Sequence, residues 1–565
     1  MRHGMREKYI DLMEKALSAY TDGHIKRYLC EVKENGLTEH GFPRLTANIG
    51  ILIAHGRRVD LLPLFTEMMD VCCSMFLRPR VKAANEFSVR EIVFCIAELE
   101  KAGAADSDRI LCWKEQISRI VPEECYDVIV GSESDRITNW AVFGALSEYA
   151  RLYFGLGENI DFIERQLSCQ LQWIDENGMY RDNKSHECYQ PIMYDLVPRG
   201  LFSLLLKLGY RGRYYEKIDD CLQKAGLVTL KMQSPNGEMP FGGRSNQFVH
   251  TEPWLAAVFE YEAVRYEREG NTELARAFRS AAARALAVTE EWLSKDPILH
   301  IKNRFPTETK YGCEGYAYFD KYMITAASNL YAAYLLSDST VKAEAFPDHE
   351  PTAFVTSHYF HKVFLKSGGY MAEIDTNADP KYDASGLGRV HREGAPSAIC
   401  MSVPCPSRPS YKVDVEKPAA LSVCAGVYTN GEWSFATDPS VKYEVKSALC
   451  DSESARASVL CRFPDGACVN TEYTVSEKGV TLALCGSGRI ACLLPAFSFD
   501  GEKWTEITVG ENELTVSYNG YVCRYTVSGS IVDRNVTAAN RNGHYRTFAA
   551  EAEDTLCVKI EIVKE

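Results

Sequence analysis

Five short polar, aromatic segments in the first 340 residues each run directly into a long apolar stretch. They are Asn85-Glu86-Phe87-Ser88, Arg136-Ile137-Thr138-Asn139-Trp140, His186-Glu187-Cys188-Tyr189-Gln190-Pro191, Gly242-Gly243-Arg244-Ser245-Asn246-Gln247 with His250-Thr251-Glu252, and Gly312-Cys313-Glu314-Gly315-Tyr316-Ala317-Tyr318. Polar side chains at helix starts usually cap free backbone N–H groups. Each of these segments carries more Tyr, Arg, His and Asn than a cap requires. Helix starts converging on one point would line a polar, aromatic cleft, and such a cleft suits a sugar chain.

The densest cluster joins His186, Glu187 and Tyr189 to Tyr194, Asp195 and Arg199. Cleaving a glycan needs one of two proton-transfer sets. In the first, a carboxylic acid protonates the leaving oxygen while a second carboxylate activates water; in the second, a Tyr/His pair moves protons during β-elimination. This cluster contains both kinds of group. The plainer alternative is a helix-start loop whose Glu and Asp are caps and whose Tyr rings pack on neighbours.

In the Gly242–Gln247 segment the paired glycines permit a tight turn that presents Arg244 without a bulky neighbour. Arg244 then suits a bidentate pair with a uronate carboxylate, and Asn246 and Gln247 suit sugar hydroxyls. His250 follows as a candidate base. Glu252 precedes Pro253 and reads equally well as a helix-start residue, because Pro suits the first helical position. Glu314 stands beside Tyr316 and Tyr318, whose rings would stack on pyranose faces, while Tyr322 at helical spacing reads as core. An amide such as Asn139 can neutralise a carboxylate, with Trp140 as a subsite wall. A further stretch, Asp383–Gly394, holds Arg389 and His391 among three glycines and reads as a loop reaching into the cleft from the side. It lacks the spacing of a phosphate loop or dinucleotide fingerprint. No metal site or cofactor motif is expected. His358 and His361 would lie on opposite faces of a strand.

The elements that must position these residues fall into two halves. To about residue 336 the apolar period is helical, with stretches near 5–36, 45–55, 60–75, 86–101, 107–119, 137–155, 159–173, 190–208, 213–229, 252–269, 272–294 and 318–336. Those starting near 45, 86, 137, 190, 252 and 318 are apolar all round, and those between are amphipathic. Buried helices alternating with covering ones predict an N-terminal (α/α)6 toroid over 1–336, the catalytic part. Pro198 predicts a kink or a later start in the fourth inner helix. Residues 337–352 form a polar, proline-bearing linker. Over 353–565 the period becomes two, and Gly431-Glu432, Asp465-Gly466 and Asn519-Gly520 mark hairpins, which predicts an antiparallel β-sandwich.

Composition bounds the partner. A formal charge of −14 argues against nucleic acid, yet a few cleft arginines can override the net field locally. The twenty cysteines are scattered through apolar surroundings with no CxxC pair, as for buried thiols in a reducing compartment. No stretch approaches the roughly 18 apolar residues of a membrane helix, so no membrane association and a cytoplasmic location are expected. A homodimer is compatible with the sequence.

The toroid-plus-β plan, with Asn139 at one inner-helix start and Tyr189 about 50 residues on, resembles the toroidal uronic-acid enzymes. These are heparinase II/III-like and alginate-type polysaccharide lyases and β-glucuronidases of the same plan. In the lyases an Asn neutralises the uronate while a Tyr and a His exchange protons at C5 and the glycosidic oxygen. The resemblance implies Asn139 as neutraliser, Tyr189 or Tyr194 as acid, and His250 or His391 as base. The chain departs from the pattern in having Trp140 where several lyases have His, and in lacking an H-x-H-x-x-D-like stretch in its β half. The leading expectation is therefore an exo-acting, β-glucuronidase-type hydrolase of uronic-acid oligosaccharides. Its acid and base would come from Glu187, Asp195, Glu252 and Glu314, its uronate clamp from Arg244 and Arg389, and its stacking walls from Tyr189 and Tyr316. The second is β-elimination by Asn139, Tyr194 and His250. A non-catalytic glycan-binding protein is a third, and a toroid whose polar helix starts are only caps, binding a protein partner, is a fourth.

Overall fold

The structure is a computed structural model that describes residues 4–78, 83–131, 136–182, 189–343 and 349–565. Glu187 lies outside the described residues, as do His186 and Cys188. The helices are α1 (Met5–Leu17), α2 (Asp22–Asn35), α3 (Gly41–Ala54), α4 (Leu62–Phe76), α5 (Val89–Ala102), α6 (Ser107–Ser118), α7 (Pro122–Cys125), α8 (Asn139–Tyr153), α9 (Ile160–Leu171), α10 (Ile192–Lys207), α11 (Tyr215–Met232), α12 (Thr251–Arg268), α13 (Thr272–Leu293) and α14 (Phe319–Leu336).

Six of them close a ring in the order α3, α5, α8, α10, α12, α14 and back to α3. These are the helices whose sequences are apolar on every side. In α3, for example, every residue from Gly41 to Ile53 is buried, as expected for a helix with neighbours all round. The amphipathic helices cover them: α4 lies on α3, α6 on α4 and α5, α9 on α8, α11 on α10 and α12, α13 on α12, and α1 on α14. Their apolar faces and the inner ring form one continuous core. All six inner helices begin at the same end of the ring, so their first turns surround one opening.

One helical expectation needs correction. The first stretch is not one helix: it breaks after Leu17 and restarts at Asp22, with Thr21 accepting the His24 N–H as an N-cap. Pro198 sits inside α10, which starts at Ile192, two residues after the expected 190.

The strands follow α14. β1 (Thr352–Val355), β2 (Lys362–Ser367), β3 (Tyr370–Asp375) and β4 (Gly386–Arg392) make a four-stranded antiparallel sheet in that order. An eleven-stranded sheet is built around two 21-residue strands, Gly479–Phe499 and His544–Lys564, paired antiparallel. Apolar side chains of the two sheets share a second core. The hairpin signals turn where expected, between Ala425–Thr429 and Glu432–Phe435, between Ser454–Arg462 and Cys468–Ser476, and between Glu513–Tyr518 and Tyr521–Val527. His358 and His361 are not on a strand but in the turn between β1 and β2.

The stretch Asp383–Gly394 is a correction as well. It is not a loop entering the cleft; its centre is β4, buried from Gly386 to His391. Gly388 explains why it reads as loop-like. A Cβ there would lie 2.5 Å from the ring of Phe241, so the glycine admits close approach of the helical part to the sheet.

Candidate functional site

The opening of the ring is a cleft of about 480 Å³. Each inner helix contributes its first turns: His40 and Arg44 from the start of α3, Arg90 from α5, Asn139 and Trp140 from α8, Tyr194 from α10, His250 and Trp254 from α12, and Lys321 and Tyr322 from α14. Arg244, Ser245 and Tyr316 enter from loops, and Asp182 is the carboxylate residue that lines the cleft among the described residues.

Asn139 is the first residue of α8, which Thr138 caps by accepting the Trp140 N–H. Its backbone N–H and its amide Nδ2 both donate to Asp182 Oδ1, each at 3.2 Å. The second amide hydrogen is therefore available to the cleft. Asp182 also faces Arg244, with its Oδ2 at 3.7 Å from Nη2. Burial raises the Asp182 carboxyl to about 6 despite the opposing pull of Arg244 and Asn139. Nothing in the sequence around Tyr180-Arg181-Asp182 marks it, because its role depends on the start of a helix 43 residues earlier.

The Gly242–Gln247 turn is locked against the start of α10. Gly243 has φ +73°, and a Cβ there would come 2.9 Å from the Pro191 backbone. The Ile192 N–H donates to the Gly242 carbonyl. From the β half, Asp383 Oδ2 accepts the Gly243 N–H at 2.7 Å. Glu314 Oε1 accepts the Ser245 N–H at 2.8 Å, and Arg541 holds Glu314 in a bidentate pair. So fixed, the turn lays the Arg244 guanidinium over the Tyr194 ring at 4.6 Å. It also places Ser245 Oγ among three phenols: Tyr194 at 3.3 Å, Tyr316 at 3.1 Å and Tyr322 at 2.9 Å. Burial raises the Tyr316 and Tyr322 hydroxyls well above the ordinary phenol value, so both stay protonated and can pass or hold a proton through Ser245.

His250 precedes α12 and packs on Tyr322, with ring centroids 4.4 Å apart. Burial, then the nearby Arg44, His300 and Lys302, lower it to about 3. It is thus a neutral imidazole at physiological pH, and its Nδ1 has no hydrogen-bond partner among the described residues. Burial without a partner is unusual for a ring nitrogen and costs free energy.

The remaining predicted residues do not line this cleft. Asp195 is buried, salt-bridged to Arg199 and bonded to the Tyr180 N–H. Glu252 is buried against Lys302 at 2.7 Å, and Glu314 against Arg541. Asn246 donates to the Pro240 carbonyl, and Gln247 bonds to Asn246 and Asn542. Arg389 donates to the Met239 and Ser402 carbonyls beside Glu373, and His391 lies between Ser234 and Ser402. Tyr318 bonds to Glu39 outside the cleft. Tyr189, at φ +69°, donates its backbone N–H to Nε2 of His361, whose Nδ1 is 2.6 Å from Asp375. Among the described residues no group of three or more His, Cys, Asp or Glu side chains could hold a metal ion. Sequence reasoning missed His40, Arg44, Arg90, Asp182 and Lys321.

No family model matches the chain, and no curated protein sequence matches it. Among solved structures it is similar to the heparinase III that is the BT4657 gene product, at 10% identity and a TM-score of 0.50 over 91% of this chain and 77% of that one. A heparan sulfate lyase HepC mutant from Pedobacter heparinus aligns at 8% identity and TM-score 0.49, over 92% of this chain and 76% of that one. A chondroitin AC lyase from Streptomyces coelicolor A3, in complex with chondroitin sulphate, aligns at 12% identity and TM-score 0.45, over 98% and 83%. At 10% identity the likeness to the heparinase III is one of fold alone: a helical toroid followed by antiparallel β-sheets.

Proposed function

We propose that this chain is a polysaccharide or oligosaccharide lyase that cleaves glycosidic bonds at uronic acid residues by β-elimination. The observation that carries the reading is the convergence of Asn139, Tyr194, Arg244 and His250 on one cleft. Three of the four carboxylates on which hydrolysis would depend, Asp195, Glu252 and Glu314, are instead held in buried ion pairs. Elimination accordingly takes the place of hydrolysis as the favoured reaction. The fold shared with a heparinase III agrees with this reading.

Elimination needs the uronate carboxylate neutralised so that the C5 proton becomes acidic. Asn139 Nδ2 and the Arg244 guanidinium supply donors for that carboxylate. The neutral His250 imidazole takes the C5 proton, the electron pair forms the C4–C5 double bond, and the C4–O bond breaks. Tyr194 gives its proton to the leaving oxygen and regains one through Ser245. Trp140 forms a wall beside the reacting sugar.

Incubation with uronic-acid oligosaccharides, reading near-ultraviolet absorbance and released uronic acid together, tests the reading. Absorbance from a C4–C5 double bond is expected. Free uronic acid without absorbance would replace elimination with hydrolysis.

A further inference from the structure

Opposite the proton-transfer groups, the ring presents a basic wall that the elimination chemistry does not use. Ring order places α3 across from α10, α5 across from α12, and α14 across from α8. Arg44, Arg90 and Lys321 stand in the first turns of α3, α5 and α14, facing Tyr194, His250 and Asn139 over the cleft.

The charges on this wall do not balance. Among the described residues Glu91 is the one carboxylate bonded to both guanidiniums: Arg44 Nε donates to it at 3.0 Å and Arg90 Nη2 at 2.9 Å. The same carboxylate also accepts from Ser328. Arg44 Nη1 donates to Thr325. Both arginines are 3% exposed. Lys321 has Glu39 at 4.0 Å and no closer acid among the described residues. Buried cations with one shared counter-charge are costly unless an anion completes the set.

A second, separate feature points to a ligand. His40 borders the same cleft at 7% exposure, stacked on Phe87, and its Nδ1 is buried with no partner among the described residues. Burial and the neighbouring Arg44, Lys321 and Arg90 hold it well below the ordinary histidine value, so it is a neutral hydrogen-bonding group there. The helix starts also converge their positive dipole ends on this point. A chain of net charge −14 has thus gathered uncompensated positive charge in its cleft.

We propose that His40, Arg44, Arg90 and Lys321 form a second anion-binding subsite, which takes a sulfate or carboxylate carried by the sugar next to the reacting uronate. The assignment rests on the lyase reading for its occupant, while the anion site itself stands on the geometry. A fork of guanidinium N–H groups suits either planar carboxylate or sulfate oxygens.

The test compares oligosaccharides that share the reacting uronate and differ at the neighbouring sugar, which carries a sulfate, a carboxylate or neither. A charge-assisted hydrogen bond contributes about 1.5–3 kcal/mol, so kcat/KM should be at least about tenfold higher with an acidic neighbour. The sulfate and carboxylate arms identify which acid is preferred. Arg44→Lys, which keeps the charge and loses the fork, and Lys321→Gln, at a partly exposed position, should each shrink that preference at least about threefold. An equal fall on all substrates would mark a structural role and overturn the subsite, as would a wild type indifferent to the neighbour. Titration with inorganic sulfate, followed by Trp140 and Trp254 fluorescence, runs independently of catalysis. Sulfate binding that weakens in both variants upholds the anion site even where no substrate gives absorbance, in which case the lyase reading alone fails. Where no substrate is turned over, an absence of sulfate binding overturns it.

Discussion

Arg541 donates to both carboxylate oxygens of Glu314, at 2.7 and 2.9 Å, and Glu314 Oε1 in turn accepts the Ser245 N–H at 2.8 Å. A residue of the β half therefore fixes the turn that carries Arg244 and Ser245, although no side chain of that half lines the cleft among the described residues. Burial raises the Glu314 carboxyl, and Arg541 more than offsets this, leaving it below its ordinary value.

Replacing Arg541 with Met leaves Glu314 buried beside no cation. Breaking such a pair costs about 3–5 kcal/mol, and denaturant unfolding of Arg541→Met should show a loss of that order at neutral pH. Because the folded carboxyl titrates below its unfolded value, the stabilisation is complete above the unfolded value and fades as pH falls through the folded one. The gap between wild type and variant should narrow in acid. A loss under about 1 kcal/mol at neutral pH would show that the clamp is not what holds the turn.

Asp182 titrates at about 6, so its charge changes within an accessible range. Only the ionised form both accepts from Asn139 and attracts Arg244, and activity should rise through pH ~6 as Asp182 ionises. In Asp182→Asn that acid limb should disappear from the kcat/KM profile. Stability runs the other way. The folded value lies above the unfolded one, so from about pH 4 to 6 the folded state binds more protons and wild-type stability falls as pH rises. At pH 7 the variant escapes a desolvation cost of up to about 3 kcal/mol, partly offset by its weaker hold on Arg244. An acid limb that survives in Asp182→Asn would assign it to another group.

Much of the architecture was legible because a helix buried on every side has to be apolar on every side, and α3, α8 and α14 carry that pattern openly. The break at Ser18–Thr21 was not, since the apolar period continues across it and only the Thr21 cap betrays it. At the site, Asn139, Trp140, Tyr194, Arg244, His250 and Tyr316 stand out as polar or aromatic residues at helix starts, and all border the cleft. Glu252 and Glu314 looked equally suitable, because their partners Lys302 and Arg541 lie 50 and 227 residues away. Asp195 carried its own warning: Arg199 follows at i+4, the spacing of a helical ion pair. The basic wall was hidden because Arg44, Arg90 and Lys321 sit within helices, where a single cation reads as a solvated face.

The backbone of the Gly242–Gln247 turn is a further point of attack. Valine at Gly243 must adopt φ +73° and place its Cβ 2.9 Å from Pro191. The left-handed conformation alone costs about 1–2 kcal/mol. Gly243→Val should lower thermal stability, and by displacing Arg244 it should raise KM more than it lowers kcat. Unchanged kinetics would mean that Arg244 does not hold the uronate.

Asn139 and Tyr194 separate the two halves of the elimination. Asn139→Ala removes a donor from the carboxylate whose charge must be quenched, and loss of one such donor costs about 10²–10³ in kcat. Tyr194→Phe keeps the ring beneath Arg244 and removes only the hydroxyl, at about 10²–10⁴ for a lost proton-transfer group. The two should differ with substrate. An oligosaccharide whose uronate is methyl-esterified has no charge to neutralise, so the penalty of Asn139→Ala should shrink with it, whereas the penalty of Tyr194→Phe should persist. Initial rates of ultraviolet absorbance on both substrates measure the difference. If esterification rescues neither variant, or both equally, Asn139 is not the carboxylate's neutraliser. In that case its bonds to Asp182 serve only to cap α8.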